Sequence, residues 1–392
     1  MVYIYSILLA LHLYVGFRIA PALDAWPIAE AAFVAMLAIS AIAIPGTLFI
    51  LQRRGHALSA ASRRLKTAGF LMTGLASSLL VLTLIRDVGL VALEVAAWVV
   101  PSAWAQAGWP VALPDVGRLR ELSGLAVPIL AMAAATAGLV GARRTAAVRR
   151  VDIPIAGLPA ALEGFSIVQV SDVHVGNTIG RDYVEAIVAR VNTLQPDIVA
   201  LTGDLVDGTV PQLAHDVAPL GQLQSKSGVF LVTGNHEYYS GAGPWVAEFQ
   251  RLGCEVLLNR HVVIERGGVR LAIAGVPDYS GHHFIESHRS DPAAAIQGAP
   301  EDLSARILLA HQPRTAPAAV DAGFDLQLSG HTHGGQFLPW NFFVRFQQPY
   351  TAGLERLRSM WVYTSRGTGY WGPPMRLGAP SEITEIRLVR ER

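Results

Sequence analysis

Two histidines lie two residues apart in Gly330-His331-Thr332-His333-Gly334-Gly335-Gln336, directly after the mostly apolar run Phe324 to Leu328. A strand that ends there delivers both imidazoles to one edge of a sheet. Imidazole nitrogens are metal donors, but histidines also serve as ordinary core and surface residues, so the pair alone decides little. Four stretches upstream ask for the same partner: Asp172-Val173-His174, Gly203-Asp204, Gly234-Asn235-His236-Glu237 and Ala310-His311. Each follows a short run of strand-forming apolar residues. In open α/β sheets the crevice beyond the carboxyl ends of strands is where sites form. Five turns placed that way can converge despite their large separations.

The candidate ligands are Asp172, His174, Asp204, Asn235, His311, His331 and His333. This oxygen and nitrogen set without sulfur suits divalent Mn, Fe or Zn. Seven donors are too many for one four-coordinate ion and suit two ions sharing a bridging carboxylate. Two metals about 3.5–4 Å apart clamp the attacking and leaving oxygens of an in-line displacement at phosphorus. They also lower the pKa of a bound water, giving hydroxide near neutral pH. The single cysteine, Cys254, forms no internal disulfide and supplies no thiolate cluster.

The elements that carry these turns are readable in order. Phe165 to Val170, Ile198 to Leu201, Val229 to Val232, Arg306 to Ala310 and Phe324 to Leu328 read as buried strands, each ending at a ligand-bearing turn. Val262 to Glu265 and Val269 to Gly275 flank Gly267-Gly268 as a hairpin. Tyr183 to Leu194 and Gly243 to Leu252 are helical, and Trp361 to Thr364 and Ile383 to Val389 are late strands. Alternation early and strand pairs late predict two packed sheets with helices outside. Residues 143–164, with Pro154 and Pro159, read as a linker into a domain spanning 165–392.

Residues 1–142 are of another kind. The chain is 52% hydrophobic and 16% charged, and the apolar excess lies in this part. Met1 to Phe17, Ala31 to Gln52, Thr67 to Ile85 and Leu125 to Gly141 carry no charge. Runs of that length fit a bilayer core, which predicts a bundle of four spans. The first run lacks a basic leader and a cleavage site, so it reads as a retained span. Arg53, Arg54, Arg63, Arg64 and Lys66 follow the second span, and Arg143, Arg144, Arg149 and Arg150 follow the fourth. The positive-inside rule makes both segments cytoplasmic, with the C-terminal half. Val88 to Pro114, with Trp98, Trp104 and Trp109, reads as interfacial or re-entrant. Were it to span, the C-terminal half would lie outside. The net charge of +1 argues against nucleic acid as a partner.

In these motifs the sequence resembles the calcineurin-like metallophosphoesterases, from about Phe165 to Val389. Asp-x-His, Gly-Asp, Gly-Asn-His-Glu, a lone His and Gly-His-x-His occur in the family order. The resemblance implies a four-layer α/β/β/α sandwich. It also implies that Asp172, His174 and His333 hold one metal, that Asn235, His311 and His331 hold the other, and that Asp204 bridges them. His236 would face the substrate and either stabilise the transition state or protonate the leaving oxygen. Gly-His-Thr-His-Gly-Gly-Gln and the late Arg366-Gly367-Thr368-Gly369 are similar to bacterial inner-membrane members, some of which cleave the pyrophosphate of UDP-diacylglucosamine. That implies a phosphate-ester substrate, lipid-linked in the closest cases.

Several residues keep two readings. Glu237 orients a ligand or is a surface carboxylate; Asp207 caps the following segment or touches the site. His282, His283 and His288 read as a solvated loop. Arg366 and Arg376 pair with phosphate oxygens or carry surface charge. Phe337 to Phe346 is an aromatic-rich loop with Arg345 within it. It either folds into the core or makes a hydrophobic wall, with Phe337 and Trp340 foremost, that receives acyl chains at the inner leaflet. The competing function classes are an anchored phosphatase of soluble substrates, a scaffold or sensor without turnover, and transport through the spans. Few intramembrane charges speak for transport.

Overall fold

The computed structural model describes residues 2–52, 60–105 and 114–391; Arg53, Arg54 and Trp109 lie outside them. The chain divides into two compact units, one up to Leu139 and one from Val140.

The first unit is helical: α1 (Val2–Ile19), α2 (Pro27–Gln52), α3 (Ala60–Ala105) and α4 (Val116–Arg143). All four are long and apolar enough to cross a bilayer. Ile19, Leu37, Leu79 and Ala131 close a small core, whereas Phe17, Ile28, Ile42 and Ile129 face outward. Lipid can solvate such a surface and water cannot. The polar groups within the bundle satisfy one another. His12 Nε2 lies 2.9 Å from Ser40 Oγ. Asp87 accepts from Tyr14 Oη at 2.7 Å and from Arg18 Nε at 2.6 Å. Arg86 bonds both Asp87 (2.8 Å) and Ser123 Oγ (3.0 Å).

The re-entrant alternative fails here: Val88 to Ala105 continues α3 as one 46-residue helix. Gly89 and Pro101 both lie within this stretch, and the eleven residues between them, Leu90 to Val100, hold neither glycine nor proline, so the backbone ladder is complete there. At 1.5 Å per residue α3 runs about 69 Å, more than twice a hydrocarbon core of about 30 Å.

The second unit is built on two six-stranded sheets. Its elements run β1 (Ala147–Ile155), β2 (Ser166–Val170), α5 (Arg181–Asn192), β3 (Ile198–Leu201), α6 (Val210–Val217), β4 (Val229–Leu231), α7 (Asn235–Ser240), α8 (Ala242–Arg251) and β5 (Glu255–Val256). They continue with β6 (Arg260–Arg266), β7 (Val269–Gly275), α9 (Pro292–Ile296), β8 (Ala305–Leu309), α10 (Ala316–Asp321), β9 (Leu326–Ser329) and α11 (Trp340–Phe343), and close with β10 (Gly353–Leu357), β11 (Met360–Thr364) and β12 (Glu382–Arg390). The sheet orders are β1-β12-β2-β3-β4-β5 and β10-β11-β9-β8-β7-β6.

Alternation along the strands makes the layers. Ile198 and Ala200 of β3 face the second sheet, packing with Ile273, Ile307, Leu309 and Leu328. Val199 and Leu201 face outward onto α5 and α8 through Ile187, Trp245 and Phe249. On the far side Leu308 and Val362 pack against Ala295, Ala316 and Ala319 of α9 and α10. The result is helix, sheet, sheet, helix. Strands buried on both faces read as near-continuous apolar runs, which makes them visible in sequence.

The linker assigned to 143–164 is corrected in part. Residues 147–155 form β1, paired parallel with β12 throughout its length. Ile153 and Ile155 point into the inter-sheet core. Pro154 is tolerated because β1 is an edge strand, where one face of the backbone needs no ladder partner.

Candidate metal centre

Register brings the turns together. Val170 pairs with Leu201 and Leu201 with Leu231 across parallel strands β2, β3 and β4. Asp172, Asp204 and Asn235 therefore leave one sheet edge at the same level. Leu309 pairs with Leu328 across β8 and β9, so His311, His331 and His333 leave the other sheet at its matching edge. Gln169 ties the two edges, donating to Thr202 Oγ1 and Ser329 O at 2.9 Å each.

The turns are tight. Asp172, His174, Asp204, His331 and His333 hold φ of 53°, 55°, 53°, 70° and 52°. Left-handed backbone costs an L-residue about 1–2 kcal/mol, and such strain persists where surrounding bonds over-determine it. Here they do. The buried Glu237 carboxylate accepts from the N–H groups of Asp204 (2.9 Å), Leu205 (2.7 Å) and Gly234 (2.7 Å). Asp172 accepts from His331 N at 3.0 and 3.1 Å and from Ser171 Oγ at 2.6 Å. Thr368 N and Gly369 N donate to the carbonyls of Ser171 and Asp172 at 2.7 and 3.0 Å. The approach is so close that a Cβ at Gly330 would strike Ser171 Oγ and Asp172 Oδ2, and one at Gly369 would strike Val173 O.

The donor atoms form overlapping clusters. In one, His333 Nε2 lies 3.1 Å from His174 Nε2 and 3.5 Å from Asp172 Oδ1. In the other, His311 Nε2 lies 3.2 Å from Asp204 Oδ2 and 3.2 Å from His331 Nδ1. Asp204 Oδ2 also lies 3.8 Å from His174 Nε2, so this carboxylate stands between the clusters. Asn235 opens α7, and its buried Oδ1 meets no hydrogen-bond donor. Two buried carboxylates, four convergent imidazoles and an unsatisfied amide oxygen fit divalent cations.

A third group sits beside them. Asp207 Oδ1 joins His236 Nδ1 at 2.6 Å and His174 Nδ1 at 3.0 Å. His236 N also donates to Asp204 Oδ1 at 2.8 Å. The His236 ring contacts Tyr239 and Trp371, with centroids 5.2 and 5.9 Å away.

Electrostatics follow from burial and these neighbours. Burial pushes the Asp204 carboxyl up, but His311, His236 and His174 outweigh it and hold it well below the ordinary range. Asp172 stays raised, because burial wins there. Burial pushes His236 down, yet Asp204 and Asp207 raise it to about 9. Burial and the nearby His311 push His331 down to about 3. Glu237 is lifted to about 7 by burial and Asp204.

The other expected site residues differ in exposure. Arg376 is buried, and its guanidinium donates to the carbonyls of His333 (2.9 Å), Arg366 (2.7 Å) and Ala379 (3.2 Å), with Nη2 3.1 Å from His333 Nδ1. Phe337 is also buried, 3% exposed, whereas Trp340 is 48% exposed. Arg366 is half-buried and lies 3.4 Å from Glu382. Asp207 touches the site, as one of its two readings had it, and Glu237 braces two of the turns. His288 bonds Tyr238 Oη at 2.8 Å. The bracing by Arg376 and by Thr368-Gly369 had not been anticipated. The late Arg-Gly-x-Gly was its one signal, read as a family mark without a role.

The family model described as "Calcineurin-like phosphoesterase" matches residues 165–335. A protein of Bos taurus described as "Transmembrane protein with metallophosphoesterase domain" is 40% identical over 290 residues, covering 70% of this chain and 65% of the relative. Its Danio rerio counterpart is 38% identical over 268 residues, 66% and 61% of the two chains. This chain thus spans less than two thirds of either relative. An uncharacterized metallophosphoesterase of Campylobacter jejuni is 34% identical over 272 residues, 69% of this chain and 70% of that one. The four apolar helices and the relatives named as transmembrane proteins make this an integral membrane protein.

Proposed function

The chain belongs to the calcineurin-like metallophosphoesterase family, and we propose that it hydrolyses a phosphodiester or pyrophosphate bond at a membrane surface, on a lipid-linked substrate such as UDP-diacylglucosamine. The observation that carries this is Asp204 Oδ2, 3.2 Å from His311 and 3.8 Å from His174, between two donor clusters of opposite sheets. Asp172, His174 and His333 would hold one divalent ion, Asn235, His311 and His331 the other, and Asp204 both. Bound there, such a pair supplies Lewis-acid stabilisation of phosphoryl oxygens and an activated water.

The chain's own residues do the rest. Asp207 holds the His236 ring by Nδ1, which leaves Nε2 to give a proton to the leaving oxygen. Glu237 fixes the turns that carry Asp204 and Asn235. The half-exposed Trp371 and Tyr239 beside His236 favour an apolar group next to the phosphorus. The basic residues after the second and fourth spans support a bacterial inner-membrane protein with this unit in the cytoplasm.

The test is hydrolysis, with Mn²⁺ added, of a panel holding UDP-diacylglucosamine, cyclic nucleotides, phospholipid esters and an aryl phosphodiester. Wild-type rates in Asp204→Ala on every member would remove the catalytic assignment. A C-terminal reporter fusion reads the sidedness.

A further inference from the structure

We propose that the segment Trp340–Phe346 is a docking element by which the second unit rests on the phospholipid surface of the bilayer that holds its helices. Trp340, Phe342, Phe343 and Phe346 are 48, 57, 52 and 84% exposed. They occupy α11 and the single 3₁₀ turn after it, with ring centroids 6.0 and 6.5 Å apart from Trp340 to Phe343 to Phe346. A water-facing helix places its rings inward; this one buries none of its four residues. An apolar patch of that kind on an otherwise well-packed unit marks an interaction surface.

The segment is built to project. Gln336, before it, donates to the carbonyls of Trp371 and Pro373 at 2.9 Å each and accepts from Trp371 N at 2.9 Å. Gln348, behind it, is buried, donates to Gln312 Oε1 at 3.0 Å and accepts from Arg314 N at 3.3 Å. Phe337 is sunk in the core. The base is thus fixed on both sides while the rings stay outside.

Three observations choose lipid as the occupant. The chain is an integral membrane protein, and only three residues separate the end of α4 at Arg143 from the start of β1 at Ala147, so a bilayer is always at hand. Leu326 to Leu354 contains no Asp or Glu, and its permanent charge is Arg345, in the middle of the aromatic run. That pattern, aromatic rings with a cation and no carboxylate, suits the headgroup region of an anionic membrane. Beyond Arg143, the other exposed large apolar side chains among the described residues are Tyr239, Tyr279, Phe284, Leu338 and Trp371. Tyr239 and Trp371 border His236, Phe284 packs on Tyr239, and Trp371 is tied to Gln336. The patch therefore adjoins the mouth of the site, and docking it would bring that mouth to the headgroups.

The experiment uses the full chain in liposomes of phosphatidylglycerol and phosphatidylethanolamine, with and without brominated acyl chains. Phe346→Cys carries an environment-sensitive fluorophore; the native Cys254 is buried and its thiol is pushed up to about 12 by burial, so it stays unlabelled. Glu301→Cys, in the exposed turn before β8, is the reference. Brominated lipid should quench the label at 346 and leave that at 301 bright, and adding Phe342→Ser and Phe343→Ser should abolish the quenching. Equal quenching at both positions, or none at 346, overturns the proposal. So does energy transfer between labels at 346 on two chains without lipid quenching, which would assign the patch to a second copy. The quenching does not depend on turnover: it should persist in Asp204→Ala, so failure of the hydrolase reading and failure of docking are seen separately.

Discussion

The two ends of the double sheet hold buried carboxylates in opposite ways. At the amino ends of the strands, Asp197 meets Lys226 at 2.9 Å and Arg266 at 2.9 Å, one cation from the loop before β4 and one from β6 of the other sheet. It also accepts from Ser166 N at 2.8 Å. At the carboxyl ends, Asp172 and Asp204 face imidazoles, hydroxyls and backbone N–H groups, and neither bonds an Arg or Lys among the described residues. The first end is electrically complete within the chain. The second is not, and burying charge without a partner is expensive. Divalent cations would play at one end the part Lys226 and Arg266 play at the other. A site is thus recognisable by the counter-charge the chain does not supply.

The sharpest break would come from Asp204→Asn, which removes one negative charge between the two donor clusters. Hydrolysis of an aryl phosphodiester should fall by at least about 10²–10³, the cost of losing one preorganised electrostatic group, and bound metal per chain should drop. Retained activity with two ions bound would mean the carboxyl end is already balanced. Next in size is metal itself. After chelation, Mn²⁺ should raise the thermal midpoint of the second unit, with about 2.7 kcal/mol gained at a hundredfold excess over Kd. Asn235→Ala and His333→Ala should each retain one ion by elemental analysis. A midpoint indifferent to metal would erase the contrast between the two ends.

Much of this was legible before any coordinates. β3 is an unbroken apolar run, β2, β8 and β9 are interrupted only by Gln169, Arg306 and Gln327 between apolar neighbours, and each strand is followed within three residues by a ligand type. What stayed hidden has physical reasons too. Pro154 and Pro159 disguised β1, because proline marks a linker unless the strand is known to lie at an edge. Phe337 and Trp340 are near neighbours in one aromatic run, yet one is buried and the other half-exposed, a difference that residue type does not carry. Arg376 lies in a stretch with no period at all. Its burial depends on loop carbonyls whose direction a sequence does not encode.

Arg376 gives a smaller test, since it is a cation at the carboxyl end that forms no ion pair among the described residues and instead holds carbonyls. Burial pushes its guanidinium down to about 10, so it stays charged at neutral pH. Arg376→Met would leave the carbonyls of His333, Arg366 and Ala379 unpaired and free the His333 ring. Metal affinity should fall by about 10–100-fold, the usual cost of removing a partner behind a ligand. Substrate KM at saturating metal should change little. A raised KM with unchanged metal affinity would return Arg376 to the substrate-binding role read from sequence.

The smallest effect probes the complete end. Burial alone would raise the Asp197 carboxyl, but the N–H of Ser166, the ammonium of Lys226 and the guanidinium of Arg266 hold it below its ordinary value. A depressed folded pKa contributes stability that is fully present above the unfolded value of about 3.9 and is lost as pH falls through the folded one. Asp197→Asn should therefore cost about 1.5–3 kcal/mol at neutral pH, the range for hydrogen bonds to a charged group. It should cost progressively less below about pH 4. Thermal unfolding of wild type and variant across that range, with chelator present throughout, reads the difference. Because Asp197 lies at the end of the strands opposite the donors, Mn²⁺ should raise the midpoint of the variant as much as that of wild type. A variant that also lost its metal response would show that the two ends are coupled, and that the charge balance of one depends on the other.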